Sequence, residues 1–261
     1  MTSQSVEIIV TILGSGSCVP SLRRSSCALL MQINDNLLLF DSGAGTMRRL
    51  LEAGTTIFDI SHIFYSHLHP DHTGELVSFL FANKYSGTAR RQIPITFVAA
   101  EGFSTFYKGL KKVYGSWIEL EPELFSIVEL DKSADDTCSF NDFTVKSSPV
   151  EHIDGSIAYR ITSDGGKTVV YSGDTDFSEN LVALSKDADL LICEAANPDD
   201  LKVQGHLTPS LAGEIATRAN VGKLILTHFY PECEHADIEK QCRKTYTGPL
   251  ILAEDLMKIE L

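Results

Sequence analysis

The sequence predicts an α/β protein with more strands than a simple βαβ array needs. Three observations carry that expectation. Short apolar runs rich in β-branched residues recur along the chain, stretches of helical period fall between them, and His and Asp residues stand where several of the apolar runs end. With 261 residues, 43% hydrophobic and 22% charged, the chain can bury a full core; one large α/β domain or two fused halves would suit that length. A single domain over residues 1–261 is the expectation.

Taken in order, VEIIVTIL, CALLMQI and NLLLF precede a helix in TMRRLLEAG, where Gly54 is the stop signal. HIFYS leads to a helix in ELVSFLFANK, and ITFVA to one near Gly102 to Lys112. Later, FTVKSS, IAYRIT, KTVVYS, DLLICE and KLILTH read as strands. The acidic stretches Asp131 to Asp136 and Asp199 to Asp200 read as solvated loops. Both halves alternate strands and helices, so they could be pseudo-equivalent layers. Gly14-Ser15-Gly16 lacks the third glycine of a dinucleotide fingerprint, because position 19 is Val19, and takes a turn role. Lys108, Lys111 and Lys112 share one helix face and read as solvated charge; His62 and His235 read as surface residues.

No run approaches the ~20 apolar residues that cross a bilayer. The start, MTSQSVEIIV, lacks a basic segment followed by a long apolar run, so a signal peptide is not expected and the cytoplasm is the expected location. Cys18, Cys27, Cys138, Cys193, Cys233 and Cys242 show no C-x-x-C pairing and read as reduced, mostly packed thiols. A formal net charge of -13 works against attraction of a polyanion such as tRNA and favours a small substrate.

The densest chemical signal is Ser66-His67-Leu68-His69-Pro70-Asp71-His72-Thr73-Gly74, directly after HIFYS. In an extended segment side chains two apart share a face, so His67 and His69 can aim at one metal. Pro70 stops a regular strand, and the chain can turn so that Asp71 and His72 address a second metal. Thr73 is a cap for the following helix. Sheet-borne sites collect at strand ends, where His152 follows FTVKSSPVE, Asp174 follows TVVYSG and His228 follows KLILT. Three ligands for one ion (His67, His69, His152), three for the other (Asp71, His72, His228) and a shared Asp174 leave room for a bridging water. Two ions roughly 3.5 to 4 Å apart would make that water a hydroxide near neutral pH. The imidazole and carboxylate set suits zinc and, less selectively, manganese or iron.

SHLHPDH, His152, SGDT at Ser172 to Thr175 and LTH at Leu226 to His228 resemble the ordered motifs of the metallo-β-lactamase superfamily. LGSGS, LLFDSGAGT, HLHPDHTGEL, YSGDT, CEA and GHLTP followed by LILTH look most like ribonuclease Z and its phosphodiesterase relatives. The resemblance implies an αββα sandwich, two packed sheets with helices outside, that hydrolyses phosphodiester bonds. It implies that Asp41 orients a ligand imidazole, and that His206, supported by Glu194, approaches the scissile phosphate, so that Asp71, His206 and Glu194 are candidate catalytic residues. Arg23 and Arg24, after the Gly-rich turn, are candidates for holding a phosphate. Where ribonuclease Z carries His-Glu-Ala-Thr, this chain has Cys193-Glu194-Ala195-Ala196, which weakens the transfer to Glu194. The interval in which tRNA-binding relatives carry a basic arm, His152 to Asp174, is only 22 positions here.

These readings favour a phosphodiesterase for a small phosphodiester or a short oligonucleotide, with no tRNA-binding arm. Hydrolysis of an ester, lactone or thioester, tRNA 3′ processing, and a non-catalytic ligand sensor remain as alternatives. The general prevalence of twofold assemblies makes a homodimer the expected state.

Overall fold

The computed structural model describes residues 7–87 and 91–261. Residues 1–6 of the start weighed above for a leader, MTSQSVEIIV, lie outside them, and with them Val6 of the first apolar run. The first half runs β1 (Ile8–Gly14), β2 (Ala28–Ile33), β3 (Asn36–Phe40), α1 (Thr46–Glu52), β4 (His62–Phe64), α2 (Pro70–Thr73), α3 (Leu76–Lys84), β5 (Ile95–Ala100), α4 (Phe103–Tyr114) and β6 (Phe125–Leu130). The second runs β7 (Asp136–Ser139), β8 (Phe143–Pro149), β9 (Ile157–Ser163), β10 (Thr168–Tyr171), α5 (Glu179–Leu184), β11 (Leu190–Glu194), α6 (Pro209–Arg218), β12 (Leu224–Thr227), α7 (Ile238–Cys242), β13 (Leu250–Leu252) and β14 (Lys258–Glu260).

These strands form two seven-stranded sheets, ordered β14-β1-β2-β3-β4-β5-β6 and β7-β8-β9-β10-β11-β12-β13. Both repeat one wiring: the first three junctions are antiparallel and the last three parallel. The expectation of pseudo-equivalent layers therefore holds at the level of topology. The chain's two described ends meet, with the Glu7 N–H donating to the Leu261 carbonyl at 3.0 Å.

Side-chain alternation explains the layers. On β2, Leu29, Met31 and Ile33 face the second sheet, while Ala28 and Leu30 pack outward with Leu50, Leu76, Phe79 and Phe103 of the helices α1, α3 and α4. Leu181 and Leu184 of α5 and Ala212, Ile215 and Ala216 of α6 cover the outer face of the second sheet. The inner strands are thus apolar on both faces, and the αββα arrangement follows. Local signals set the helix ends: Ser178 Oγ accepts the Leu181 N–H at the start of α5, and Gly54 after α1 has φ +85.

Two expectations are corrected. Thr73 does not cap α3; it closes the single turn α2, where its Oγ1 donates back to the His69 carbonyl at 3.0 Å. His62 is not a surface residue. It lies on β4 between β3 and β5, 9% exposed, with its ring against Phe64, Phe140 and Phe143. Burial pushes this imidazole down from 6.5 to about 4. Between those values the unfolded chain holds a proton that the folded chain does not, so stability is complete above pH 6.5 and falls as pH drops towards 4. The loss attributable to this group is on the order of 3 kcal/mol at the lower limit. Urea unfolding across that window should show a steeper acid loss for the wild type than for His62→Phe; parallel profiles would contradict the assignment.

Candidate metal centre

The site lies where the parallel runs of both sheets end, at the carboxyl ends of their strands. Asp41 follows β3, His67 and His69 follow β4, Asp71 and His72 lie on α2, His152 follows β8, Asp174 follows β10, Glu194 ends β11, and His228 follows β12. Close approaches need glycine here. A Cβ on Gly43 would sit 2.2 Å from the Asp71 carbonyl oxygen, and one on Gly173, where φ is +56, would lie 2.4 Å from Ser66 Cβ. Asp41 and His228 themselves take left-handed backbones, φ +57 and +61, which turns the chain sharply at the strand ends.

All seven expected ligands come together, in two groups. His67, His69, His152 and Asp174 offer donor atoms within 4.8 Å of one another, as do Asp71, His72, Asp174 and His228. Asp174 belongs to both. In the first group His69 Nδ1 stands 3.0 Å from His67 Nε2 and 3.1 Å from His152 Nε2, with Asp174 Oδ2 3.7 Å from His67 Nε2. In the second, His72 Nε2 is 3.2 Å from Asp174 Oδ2, and His228 Nε2 is 3.3 Å from Asp174 Oδ1 and 3.6 Å from Asp71 Oδ2.

Hydrogen bonding alone does not account for this arrangement. A neutral imidazole has one donor and one in-plane lone pair, so three ring nitrogens aimed at one point cannot all be satisfied by each other. Among the described residues, His72 Nε2, Asp174 Oδ1 and both ring nitrogens of His228 are buried without a hydrogen-bond partner. Each such orphan costs about 1 to 3 kcal/mol. Divalent ions, drawing on lone pairs from five imidazoles and two carboxylates, fit both the convergence and the orphans.

The surrounding groups fix these rings. Asp41 is fully buried; its Oδ2 accepts from Tyr171 Oη (2.6 Å) and Ser66 Oγ (2.8 Å) and lies 2.8 Å from His72 Nδ1, while Oδ1 accepts the Ser66 N–H. His152 Nδ1 donates to the Gly205 carbonyl at 2.7 Å, which aims Nε2 at the site. Asp176 holds that loop by accepting from the Gly205 N–H and from Lys202 Nζ. Ser66 and Tyr171 fall inside the motifs SHLHPDH and YSGDT, but the sequence reading assigns them no role; the Gly205 carbonyl carries no side-chain signal at all.

Electrostatics follow from burial and pairing. Burial would lower His72, but Asp174 and Asp41 outweigh it and hold its imidazole well above the usual range. Burial, reinforced by the neighbouring His72 charge, drives His67 well below it. Burial would raise Asp174, yet His228 and His72 keep it well below the ordinary carboxylate range.

Glu194 and His206 also meet the site. His206 Nδ1 is 2.9 Å from Glu194 Oε1 and 4.0 Å from Asp174 Oδ2. Burial lifts the Glu194 carboxyl, but the N–H groups of Thr175, Ala196 and Leu207 converge on it with His206, the donor set of an ionised carboxylate. Burial would lower His206; its hydrogen bond to Glu194 raises it instead. Arg23 and Arg24 are placed differently from the phosphate-holding expectation. Glu234 receives both guanidinium groups, at 2.5 and 2.6 Å, and Arg24 also donates to Ser15 Oγ and the Ala253 carbonyl while lying over Phe229. His235 is exposed, as expected.

The family model described as anti-Pycsar protein Apyc1 matches residues 8–240. The chain belongs to that family. This Apyc1-family chain is also 27% identical to ribonuclease Z of Methanosarcina mazei over 307 aligned positions that cover 97% of each protein. The crystal structure of human tRNase Z, short form, superposes with a TM-score of 0.77 at 26% identity, covering 96% of this chain and 98% of that one. That of the metallo-β-lactamase fold protein YhfI from Bacillus subtilis gives a TM-score of 0.84 at 23% identity, covering 97% and 99%. The sandwich is thus the metallo-β-lactamase fold, and the ribonuclease Z resemblance seen in the motifs extends over the Apyc1-family chain. These similarities place it among hydrolases of that fold. No helix of the described residues is long and apolar enough to cross a membrane.

Proposed function

We propose that this protein is a ribonuclease Z-like phosphodiesterase that binds two divalent ions, zinc foremost, and cleaves a small phosphodiester or short oligonucleotide. The observation that carries this reading is Asp174, whose carboxylate belongs to both groups of ligand atoms, with Oδ2 near His67 and His72 and Oδ1 near His228. His67, His69 and His152 would hold one ion with Asp174, and Asp71, His72 and His228 the other. Bound there, the ions supply Lewis acidity towards phosphoryl oxygens and an ionised water at neutral pH.

The chain's own residues do the rest. Asp41 orients His72, and the Gly205 carbonyl orients His152. Glu194 occupies Nδ1 of His206 and favours its cationic form, so the free Nε2 can give a proton to the leaving oxygen. The small-substrate reading draws support from the interval between His152 and Asp174, which is taken up by the antiparallel pair β9 and β10, and from the net charge of -13.

The test is hydrolysis of bis(p-nitrophenyl) phosphate. Turnover should require Zn2+ or Mn2+, vanish with a chelator and return on adding metal. His206→Gln should lower kcat by about 10²-fold, the range for a lost general acid, without loss of bound metal. A substrate panel that favours carboxylic esters, lactones or thioesters over phosphodiesters would replace this reading with the acyl one.

A further inference from the structure

We infer that Tyr230 is a substrate-contacting residue, whose phenol donates a hydrogen bond to a phosphoryl oxygen held at the metal centre; the inference rests on the phosphoryl reading above. The backbone that carries it is fixed at three points. His228 turns through its left-handed φ of +61, the Phe229 N–H donates to the Ser15 carbonyl at 2.9 Å, and the Tyr230 N–H donates to the Ala196 carbonyl at 3.0 Å. The ring is thereby set 5.9 Å from that of His228 and 6.1 Å from that of His206, each between centroids. The phenol therefore stands beside both a candidate ligand and the candidate acid.

Its hydrogen-bonding capacity is barely used. The hydroxyl meets Cys18 Sγ at 3.3 Å, and a thiol is a weak partner that a charged oxygen can displace at little cost. Cys18 is itself exposed, and the residues after it reach outward, with Leu22 fully exposed. Tyr230 also lines a cavity of about 150 Å³ with Val19, Pro20, Ser21, Pro231 and the paired Arg24 and Glu234, so its neighbours do not pack it on every side. Charge gives the contact its purpose. Asp71, Asp174 and Glu194 crowd the centre with carboxylates, while Arg24, which lines the same cavity as Tyr230, is paired with Glu234, as is Arg23. A neutral donor on the flank opposite no counter-ion can still receive an anionic oxygen.

The rival explanation is structural: the phenol could merely pin the loop that starts at Cys18. Binding of inorganic phosphate to the zinc-loaded protein, measured by calorimetry, separates the two for Tyr230→Phe and Cys18→Ala. We expect Tyr230→Phe to raise the Kd for phosphate about tenfold, the size of one lost hydrogen bond to a charged group, at unchanged metal content. Cys18→Ala should stay within about twofold of wild type, because it removes only the resting partner. A Kd for Tyr230→Phe within twofold of wild type would overturn the inference, as would an equal loss in Cys18→Ala or a fall in bound metal in Tyr230→Phe. If the phosphate result stands while bis(p-nitrophenyl) phosphate is not hydrolysed, the phosphodiesterase reading fails and the contact survives it.

Discussion

Asp174→Asn should empty both ion sites in a single substitution. The carboxylate is 2% exposed, its Oδ2 lies 3.2 Å from His72 Nε2 and 3.7 Å from His67 Nε2, and its Oδ1 lies 3.3 Å from His228 Nε2. An amide of the same shape removes the charge and can direct an N–H₂ group at one set of lone pairs. Metal analysis is expected to show fewer than one ion per chain, against about two in the wild type. Phosphodiester turnover should fall by at least about 10³-fold, the rate equivalent of losing several kcal/mol of charge stabilisation. His69→Ala provides the contrast, because His69 belongs to one group only and its loss should leave close to one ion. Retention of two tightly held ions by Asp174→Asn would refute the shared-carboxylate arrangement.

The second large effect concerns folding as much as chemistry. Asp41→Ala strips the acceptor from Ser66 N–H, Ser66 Oγ, Tyr171 Oη and His72 Nδ1 together, all in a fully buried pocket. Breaking a buried pair from one side costs about 3 to 5 kcal/mol. Alanine also tolerates the φ of +57 less well than aspartate does. We expect Tm to drop by roughly 10 °C even in chelator, at about 2 to 4 °C per kcal/mol for a chain of this size. A second effect should appear on metal, with affinity falling about 10- to 100-fold as His72 loses its orienting partner. Unchanged melting in the metal-free protein would show that Asp41 serves the ions alone.

The convergence of the seven candidate ligands was legible because each terminates or closely follows an apolar run, and strand ends in an α/β sandwich converge by construction. The first expected helices were equally legible, as the glycine after α1 shows. What escaped depends on partners far along the chain. Arg24 reads as a free cation beside a Gly-rich turn until Glu234, 210 residues later, closes on it. The start of α1 offers no local cap, because Glu75 supplies it by accepting the Gly45 and Met47 N–H groups. His62 looked polar enough for the surface, but β4 is three residues long and covered from both sides, so the burial of its neighbours decides its place. The acidic stretch read as a loop ends by opening β7, where Asp136 folds back to accept the Asp131 N–H. Strands as short as β13 and β14 carry too few residues for any period to register.

The matched wiring of the sheets has a consequence for how the chain is composed. One sheet takes β7 through β13 without interruption, whereas the other takes β1 through β6 and borrows β14 from the far end. Were the chain a closed ring, reading it from β14 would deliver two seven-strand modules back to back, each a complete layer. The hydrogen bond between Glu7 and Leu261 already brings the ring's seam together. The strand order is thus that of two matching seven-strand layers offset by one strand along the chain, and the candidate metal centre, assembled from both layers, belongs to neither alone.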